Sequence, residues 1–166
     1  MRRLFALLPL LAACSSAPPK LPPTAPSPLL EKPLPAFERP TLGGERVATQ
    51  SYAGRPVVVK FFAEYCKPCQ RTLPAAERLH REHPDVAFIG VSEDERESTA
   101  RGVVQKHGLT FPVVLDRGNV LAGRFRVSEM PVTFVVDRRG VVRWVGSADQ
   151  TEADFEQAVG AVSSAR

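Results

Sequence analysis

Short, almost continuous runs of apolar residues recur along the chain, and stretches richer in polar residues separate them. Residues 57–63, Val-Val-Val-Lys-Phe-Phe-Ala, are β-branched or aromatic at most positions, which is typical of a central strand covered on both faces. Similar runs predict further strands over 86–91, 111–115, 132–136 and 141–145. The stretches between and after them predict helices over 67–83, 96–107, 120–125 and 152–162.

The segment before the central strand, residues 37–52, contains short apolar pieces around Gly43-Gly44, so we predict a β-hairpin there. Thr151 is expected to cap the N-terminus of the last helix. Strands that alternate with helices, followed by a final hairpin and helix, indicate an α/β fold. In such a fold, helices cover both faces of a central mixed sheet.

The N-terminus has the layout of a secretory signal peptide. Two arginines precede an apolar run at 4–11, which is too short to cross a bilayer as a helix. Residues 11–14, Leu-Ala-Ala-Cys, resemble the lipobox of bacterial lipoproteins. The resemblance implies that residues 1–13 are removed and that Cys14 is lipidated, which anchors the protein to a membrane. The alternative is an ordinary signal peptide that happens to contain Cys14.

A proline-rich segment follows the predicted lipidation site. Nine of the 26 residues from 15 to 40 are proline, a composition that favours an extended, semi-rigid chain over helix or sheet. We predict that residues 14–34 form a tether between the lipid and the folded domain. A disordered leader with no spacing role is the alternative, and in either case the domain is predicted to span residues 35–166.

The overall charge gives no indication of nucleic-acid binding. The chain has 22 Lys and Arg against 18 Asp and Glu, and two of the arginines lie in the predicted signal peptide. The basic residues are scattered among acids and form no stripe interleaved with aromatic residues. We therefore expect no nucleic-acid partner.

Two cysteines, Cys66 and Cys69, remain when Cys14 is assigned to lipidation. A structural disulfide between them would close a very short loop and stabilise the fold little. Cys66 stands where the central strand ends and a helix begins, a position that favours a thiolate. Lys67 adds a nearby positive charge, and Pro68 fixes the turn. We predict that Cys66 attacks a substrate disulfide and that Cys69 resolves the mixed disulfide.

A Cys-x-x-Cys pair can also be half of a zinc site, which needs about four ligands. The sequence has no second cysteine pair, and its three histidines are placed poorly for the purpose. His107 falls in another helix, and we expect His80 and His83 to lie on a solvated helix edge. We therefore expect neither a metal nor another cofactor.

Two motifs carry a resemblance to a known family. Residues 61–69, Phe-Phe-Ala-Glu-Tyr-Cys-Lys-Pro-Cys, with Pro74 beyond them, are followed by 129–140, Glu-Met-Pro-Val-Thr-Phe-Val-Val-Asp-Arg-Arg-Gly. In this order and spacing they resemble the TlpA/ResA-like thiol-disulfide oxidoreductases of the thioredoxin superfamily. The resemblance covers roughly residues 35–163. It implies a thioredoxin-like fold with an N-terminal hairpin and an extra β-α insert between Asp85 and His107.

The same resemblance implies roles for the second motif. The Met130–Pro131 bond is expected to be cis and to face the two cysteines. Met130 would then offer its backbone to an extended substrate segment, and Pro131 would shape the groove. The alternative for Met130 is an exposed side chain with no particular role.

Three residues depart from the family pattern. Tyr65 stands where the family usually has Trp, so the contact surface beside the thiol is altered. Thr72 stands where many cytochrome-maturation members have Glu, which weakens an assignment to that pathway. Lys60 replaces a buried acid found in many thioredoxins. A cation there would favour thiolate at the pair and stabilise its reduced form; alternatively, Lys60 snorkels to the sheet edge and has no role.

The predicted activity is thiol-disulfide exchange on exported proteins that contain thiols or disulfides, with a membrane redox donor or acceptor as partner. A peroxidase is one alternative, but Ala63 stands where such enzymes have Thr or Ser. A copper-delivery or adaptor lipoprotein is another; copper-delivery relatives have three residues between their cysteines and a distal His. The expected location is the cell envelope, facing the periplasm. Ser15 favours the outer membrane over the inner, and the direction of electron flow is left open.

Overall fold

The structure is a computed structural model and describes residues 20–165. Seven strands are present in this range: β1 Glu38–Pro40, β2 Arg46–Ala48, β3 Val57–Phe62, β4 Ala87–Ser92, β5 Val113–Leu115, β6 Val132–Val136 and β7 Val142–Gly146. Four α-helices accompany them: α1 Lys67–Glu82, α2 Glu97–His107, α3 Val120–Arg124 and α4 Glu152–Ser164. The predicted signal peptide and Cys14 lie outside the described residues.

Five strands form one mixed sheet in the order β5-β4-β3-β6-β7. The first three are parallel, whereas β6 runs antiparallel to both β3 and β7. β1 and β2 form a separate antiparallel hairpin, as predicted for residues 37–52. The α/β fold class predicted from the sequence is confirmed.

The two faces of the sheet are covered by different elements. Val58 and Phe62 point to a core shared with α1, α2 and α4. Val57, Val59 and Phe61 point to a second core shared with α3 and the β1–β2 hairpin. Every residue of β3 is buried because both faces are covered, which explains why its sequence does not alternate between apolar and polar residues.

Residues 20–34 differ from the extended tether expected of them, because they lie along the edge strand β7. The Ala25 N–H donates to Val145 O at 2.7 Å, and the Trp144 Nε1–H donates to Pro23 O at 3.0 Å. Proline lacks an N–H donor but keeps its carbonyl, so a proline-rich segment can still accept hydrogen bonds from a strand edge. The prediction of a semi-rigid tether outside the domain is therefore wrong for residues 20–34, and the packed chain begins before residue 35.

His80 also differs from its prediction. Its ring packs against Phe88 and Phe111, with centroid distances of 5.4 and 5.7 Å. Burial lowers the pKa of His80 below its usual range. The histidine faces the sheet rather than a solvated helix edge.

None of the helices found in residues 20–165 is both long enough and apolar enough to cross a bilayer.

Candidate active site

Cys66 occupies the N-cap position of α1, four residues after β3 ends. Its Sγ accepts a hydrogen bond from the Cys69 N–H at 3.2 Å, and the two sulfur atoms form a disulfide with 5.2 Å between the Cα atoms. Pro68 fits in the first helical turn because the N–H that it lacks would have no intrahelical partner there. The unpaired N–H groups and dipole of this helix terminus stabilise negative charge at Cys66.

The two cysteines differ in accessibility. Cys66 is 7% exposed, whereas Cys69 is completely buried. Cys66 therefore keeps a small surface that faces solvent, whereas Cys69 has none. Tyr65, directly before Cys66, is 65% exposed, so its aromatic ring forms part of the surface beside Cys66. Lys67, on the other side, is also exposed.

The Met130–Pro131 peptide bond is cis, as the family resemblance implies. It directly precedes β6, and Val132 pairs with Phe61 near the end of β3. This register places Pro131 at the same end of the sheet as Cys66. Pro131 is buried, and the half-buried Met130 packs against the core cluster that contains both cysteines.

Lys60 is buried, with 3% of its surface exposed. Its Nζ donates a hydrogen bond to Thr133 Oγ1 at 3.1 Å, and it lies 5.9 Å from the centroid of the Phe155 ring. Burial lowers the pKa of Lys60 from 10.5 to about 8. The alternative in which Lys60 snorkels to the sheet edge is wrong, because its ammonium group bonds to Thr133 on the neighbouring strand β6 and lies over the Phe155 ring of α4.

One residue near the site was not predicted from the sequence. The Asp94 carboxylate accepts hydrogen bonds from the Glu64 N–H at 3.1 Å and from the Ser92 hydroxyl at 2.8 Å. It thereby fixes the loop that leads to Cys66, and we regard it as a positioning residue. A sequence signal existed, because parallel β3 and β4 end at the same sheet edge and Asp94 follows β4.

Within residues 20–165, no cluster of three or more His, Cys, Asp or Glu side chains is arranged to hold a metal ion. Cys66 and Cys69 are bonded to each other. The described residues therefore offer the pair no further ligands for a zinc site.

Comparison with known proteins gives a consistent result. A model of the AhpC/TSA family matches residues 30–145, more than half of the chain. The chain is 32% identical over 127 residues to the thioredoxin-like protein YneN of Bacillus subtilis, which covers 74% of each protein. It is 30% identical over 118 residues to the thiol-disulfide oxidoreductase ResA of Halalkalibacterium halodurans, covering 70% of this chain and 67% of ResA.

Solved structures show the same fold. MTB dsbF, in its mixed oxidized and reduced forms, matches with a TM-score of 0.71 and 28% identity, covering 76% of this chain and 94% of that chain. A thiol:disulfide interchange protein of the thioredoxin family from Chlorobium tepidum matches with a TM-score of 0.72 over 84% of this chain and 99% of that one. At 23% identity, the second likeness shows the fold alone. The chain belongs to the AhpC/TSA family, and within it to the ResA-like thiol-disulfide oxidoreductases.

Proposed function

We propose that this oxidoreductase acts on exported proteins, with Cys66 as the nucleophile and Cys69 as the resolving thiol. The observation that supports these roles is the difference in exposure between the two cysteines. Cys66 is 7% exposed at the N-terminus of α1, and Cys69 is 0% exposed one turn further along. A substrate sulfur can therefore reach the first residue and not the second.

The reaction transfers two electrons in two exchange steps. In the reducing direction, the Cys66 thiolate attacks one sulfur of a substrate disulfide and releases the other as a thiolate. Deprotonated Cys69 then attacks the Cys66 sulfur, which forms the Cys66–Cys69 disulfide and releases the substrate's second thiolate. The enzyme dithiol is oxidised and the substrate disulfide is reduced; the oxidising direction is the reverse of these steps.

Several neighbours support these steps. The N–H groups at the start of α1 and the charge of Lys67 favour the thiolate at Cys66. Tyr65 and Met130 supply contact surface for a polypeptide, and Pro131 shapes the groove between them and the pair. Lys60 modulates the pair electrostatically, because its charge is held in a poorly solvated position on the sheet face that carries α1.

The proposed location follows from the first fifteen residues. The signal-peptide layout and the lipobox-like residues 11–14 support export, with lipid attached at Cys14. Because Ser15 follows Cys14, we propose that the anchor lies in the outer membrane and that the domain faces the periplasm. The enzyme would then exchange electrons with a membrane redox donor or acceptor. Mass spectrometry of the mature protein tests the anchor, since an acylated N-terminal Cys14 is expected and an unmodified one would contradict it.

The test of the cysteine roles is mixed-disulfide trapping. Cys69→Ser leaves the nucleophile but removes the resolving thiol, so covalent adducts with substrate proteins should accumulate and disappear on treatment with a reductant. Cys66→Ser is the matched control, and its buried Cys69 should trap little. Equal trapping by both variants would contradict the assigned roles, and greater trapping by Cys66→Ser would reverse them. Identification of the trapped proteins shows whether they are exported.

Peroxide consumption by the same purified enzyme tests the peroxidase alternative. Ala63 is buried and has no hydroxyl to orient a peroxide, so we expect no consumption above that of free thiols. Rapid consumption that depends on Cys66 would contradict this expectation.

A further inference from the structure

A cavity of about 140 Å³ opens beside Pro131. Its walls come from the N-terminal half of α1, from β3, β6 and β7, from the loop 147–151 and from the first turn of α4. The volume is several times the roughly 30 Å³ that a water molecule occupies in the liquid. It is therefore large enough for a small polar group.

Lys60 places an ammonium group at the wall of this cavity. An ammonium group has three N–H donors. Among the described residues, Thr133 Oγ1 is the acceptor that Lys60 Nζ reaches, at 3.1 Å. Lys60 is only 3% exposed, and its ammonium group has more N–H donors than acceptors within reach. Binding of an anion that accepts hydrogen bonds from these donors would therefore be favourable.

The other charged groups at the cavity also favour an anion. Arg71 lines the cavity and is exposed at its rim. Glu152 lines it as well; its carboxylate lies 3.0 Å from Arg78 Nη2, and Arg78 also pairs with Glu82 and Glu156. The residues that line the cavity therefore carry two cations, Lys60 and Arg71, against one carboxylate.

We propose that this cavity is a subsite for a carboxylate side chain, Asp or Glu, of the polypeptide that exchanges disulfides with Cys66. The inference rests on the proposed function, because it requires a polypeptide docked at Met130 and Pro131. A segment that lies across Pro131 has side chains within reach of the cavity, which Pro131 itself lines. The carboxylate would accept hydrogen bonds from Lys60 Nζ, with Arg71 attracting it at the rim.

Substrate preference tests the proposal directly. The substrates would be pairs of disulfide-linked peptides, each pair differing only by Glu or Gln at one of the positions that flank the cysteine. The full chain would reduce all of them under identical conditions. At one position, we expect kcat/KM to be about tenfold higher for Glu than for Gln, the size typical of a modest charge-pair contribution. Lys60→Met should bring the ratio of kcat/KM for Glu over Gln to about one, whereas its effect on Cys66 changes the rates of both peptides alike and leaves this ratio untouched. The conservative Lys60→Arg should retain part of the preference.

A second arm measures the anion site without catalysis. Acetate is the probe, acetamide is its neutral control, and sodium chloride holds the ionic strength constant. In the oxidised full chain with ¹³C-labelled lysine, acetate should raise the pKa of Lys60 and acetamide should not, because a bound anion stabilises the ammonium form. The Lys60 signal is assigned from its absence in Lys60→Met.

The possible failures are distinguishable. If the peptides are reduced at equal rates whatever their charge, the subsite is wrong and the proposed function stands. If no peptide is reduced, the proposed function fails. Acetate binding without any preference for Glu peptides would also overturn the proposal, since it would reveal a site for free small carboxylates only.

Discussion

Burial changes the chemistry of single side chains at this site. Cys66 and Cys69 are the same residue type three positions apart, yet one keeps a small exposed surface and the other has none. Lys60 would be fully charged on a surface, but its enclosure by the sheet and α4 lowers its pKa to about 8. At neutral pH it is still mostly a cation, and its field is poorly screened by water.

Replacing Lys60 with Met should therefore reduce the thiolate fraction of Cys66. Loss of a cation on the same face of the sheet disfavours the negative form of a nearby thiol, by up to about one pH unit. The measurement is the pH dependence of Cys66 alkylation in the reduced enzyme, with the midpoint expected to move to higher pH. Lys32→Met, at an exposed position, is the control. An unchanged midpoint in Lys60→Met would show that Lys60 has no influence on the pair.

At the scale of elements, the edge strand β7 is covered by residues 20–34. An uncovered edge strand exposes a row of unpaired N–H and C=O groups that invites pairing with other chains. Thr24 contributes most directly, since its hydroxyl donates to Val145 O at 3.1 Å and accepts from the Val145 N–H at 2.9 Å. Beside it, Ala25 is buried against the second core.

Thr24→Val keeps the shape of the side chain but removes both hydrogen bonds. We expect the free energy of unfolding to fall by about 1–2 kcal/mol, because the Val145 N–H loses its acceptor in a partly buried place, while Val145 O keeps the Ala25 N–H as donor. Urea denaturation measures the change. Thr24→Ser retains the hydroxyl and should stay close to wild type. If Val and Ser variants are equally stable, the hydroxyl does not hold this segment to β7.

For the whole molecule, Lys60 links stability to pH. Its pKa is about 8 in the folded protein against an ordinary 10.5, so between these values the unfolded chain binds more protons than the folded one. The free energy of unfolding of the protein therefore rises, through Lys60, as the pH rises from about 8 towards 10.5. Below pH 8 the protein bears the full cost of burying the charge, roughly 3 kcal/mol.

Lys60→Met should remove this dependence. The variant is expected to be more stable than wild type at pH 7, by as much as about 3 kcal/mol, and the difference should shrink towards pH 9.5. Urea denaturation of the oxidised proteins at several pH values measures it. The difference between variant and wild type isolates Lys60 from Tyr52 and Tyr65, whose pKa values are raised by burial and which are present in both proteins. A constant difference across this range would contradict the linkage.

Local patterns in the chain predicted the strands of the sheet, the cap of α4 and the redox motif. The apolar runs predicted every strand of the sheet to within about two residues, and Thr151 caps α4 as expected, its hydroxyl accepting from the Asp154 N–H at 3.1 Å. The Cys-x-x-Cys motif after a buried strand also indicated the redox chemistry. These features depend on residues that are close together in the sequence, so their spacing carries the information.

Other features depend on contacts between distant parts of the chain. The burial of Lys60 requires β6 and α4, which lie more than seventy residues away, and Asp94 fixes the Cys66 loop from the next strand. Likewise, the proline-rich residues 20–34 were expected to extend freely because their composition disfavours helix and sheet, yet β7 offers them hydrogen-bond partners. Composition and spacing do not show which surfaces pack against each other. In this protein that packing sets the pKa of Lys60, the exposure of the two cysteines and the shape of the site.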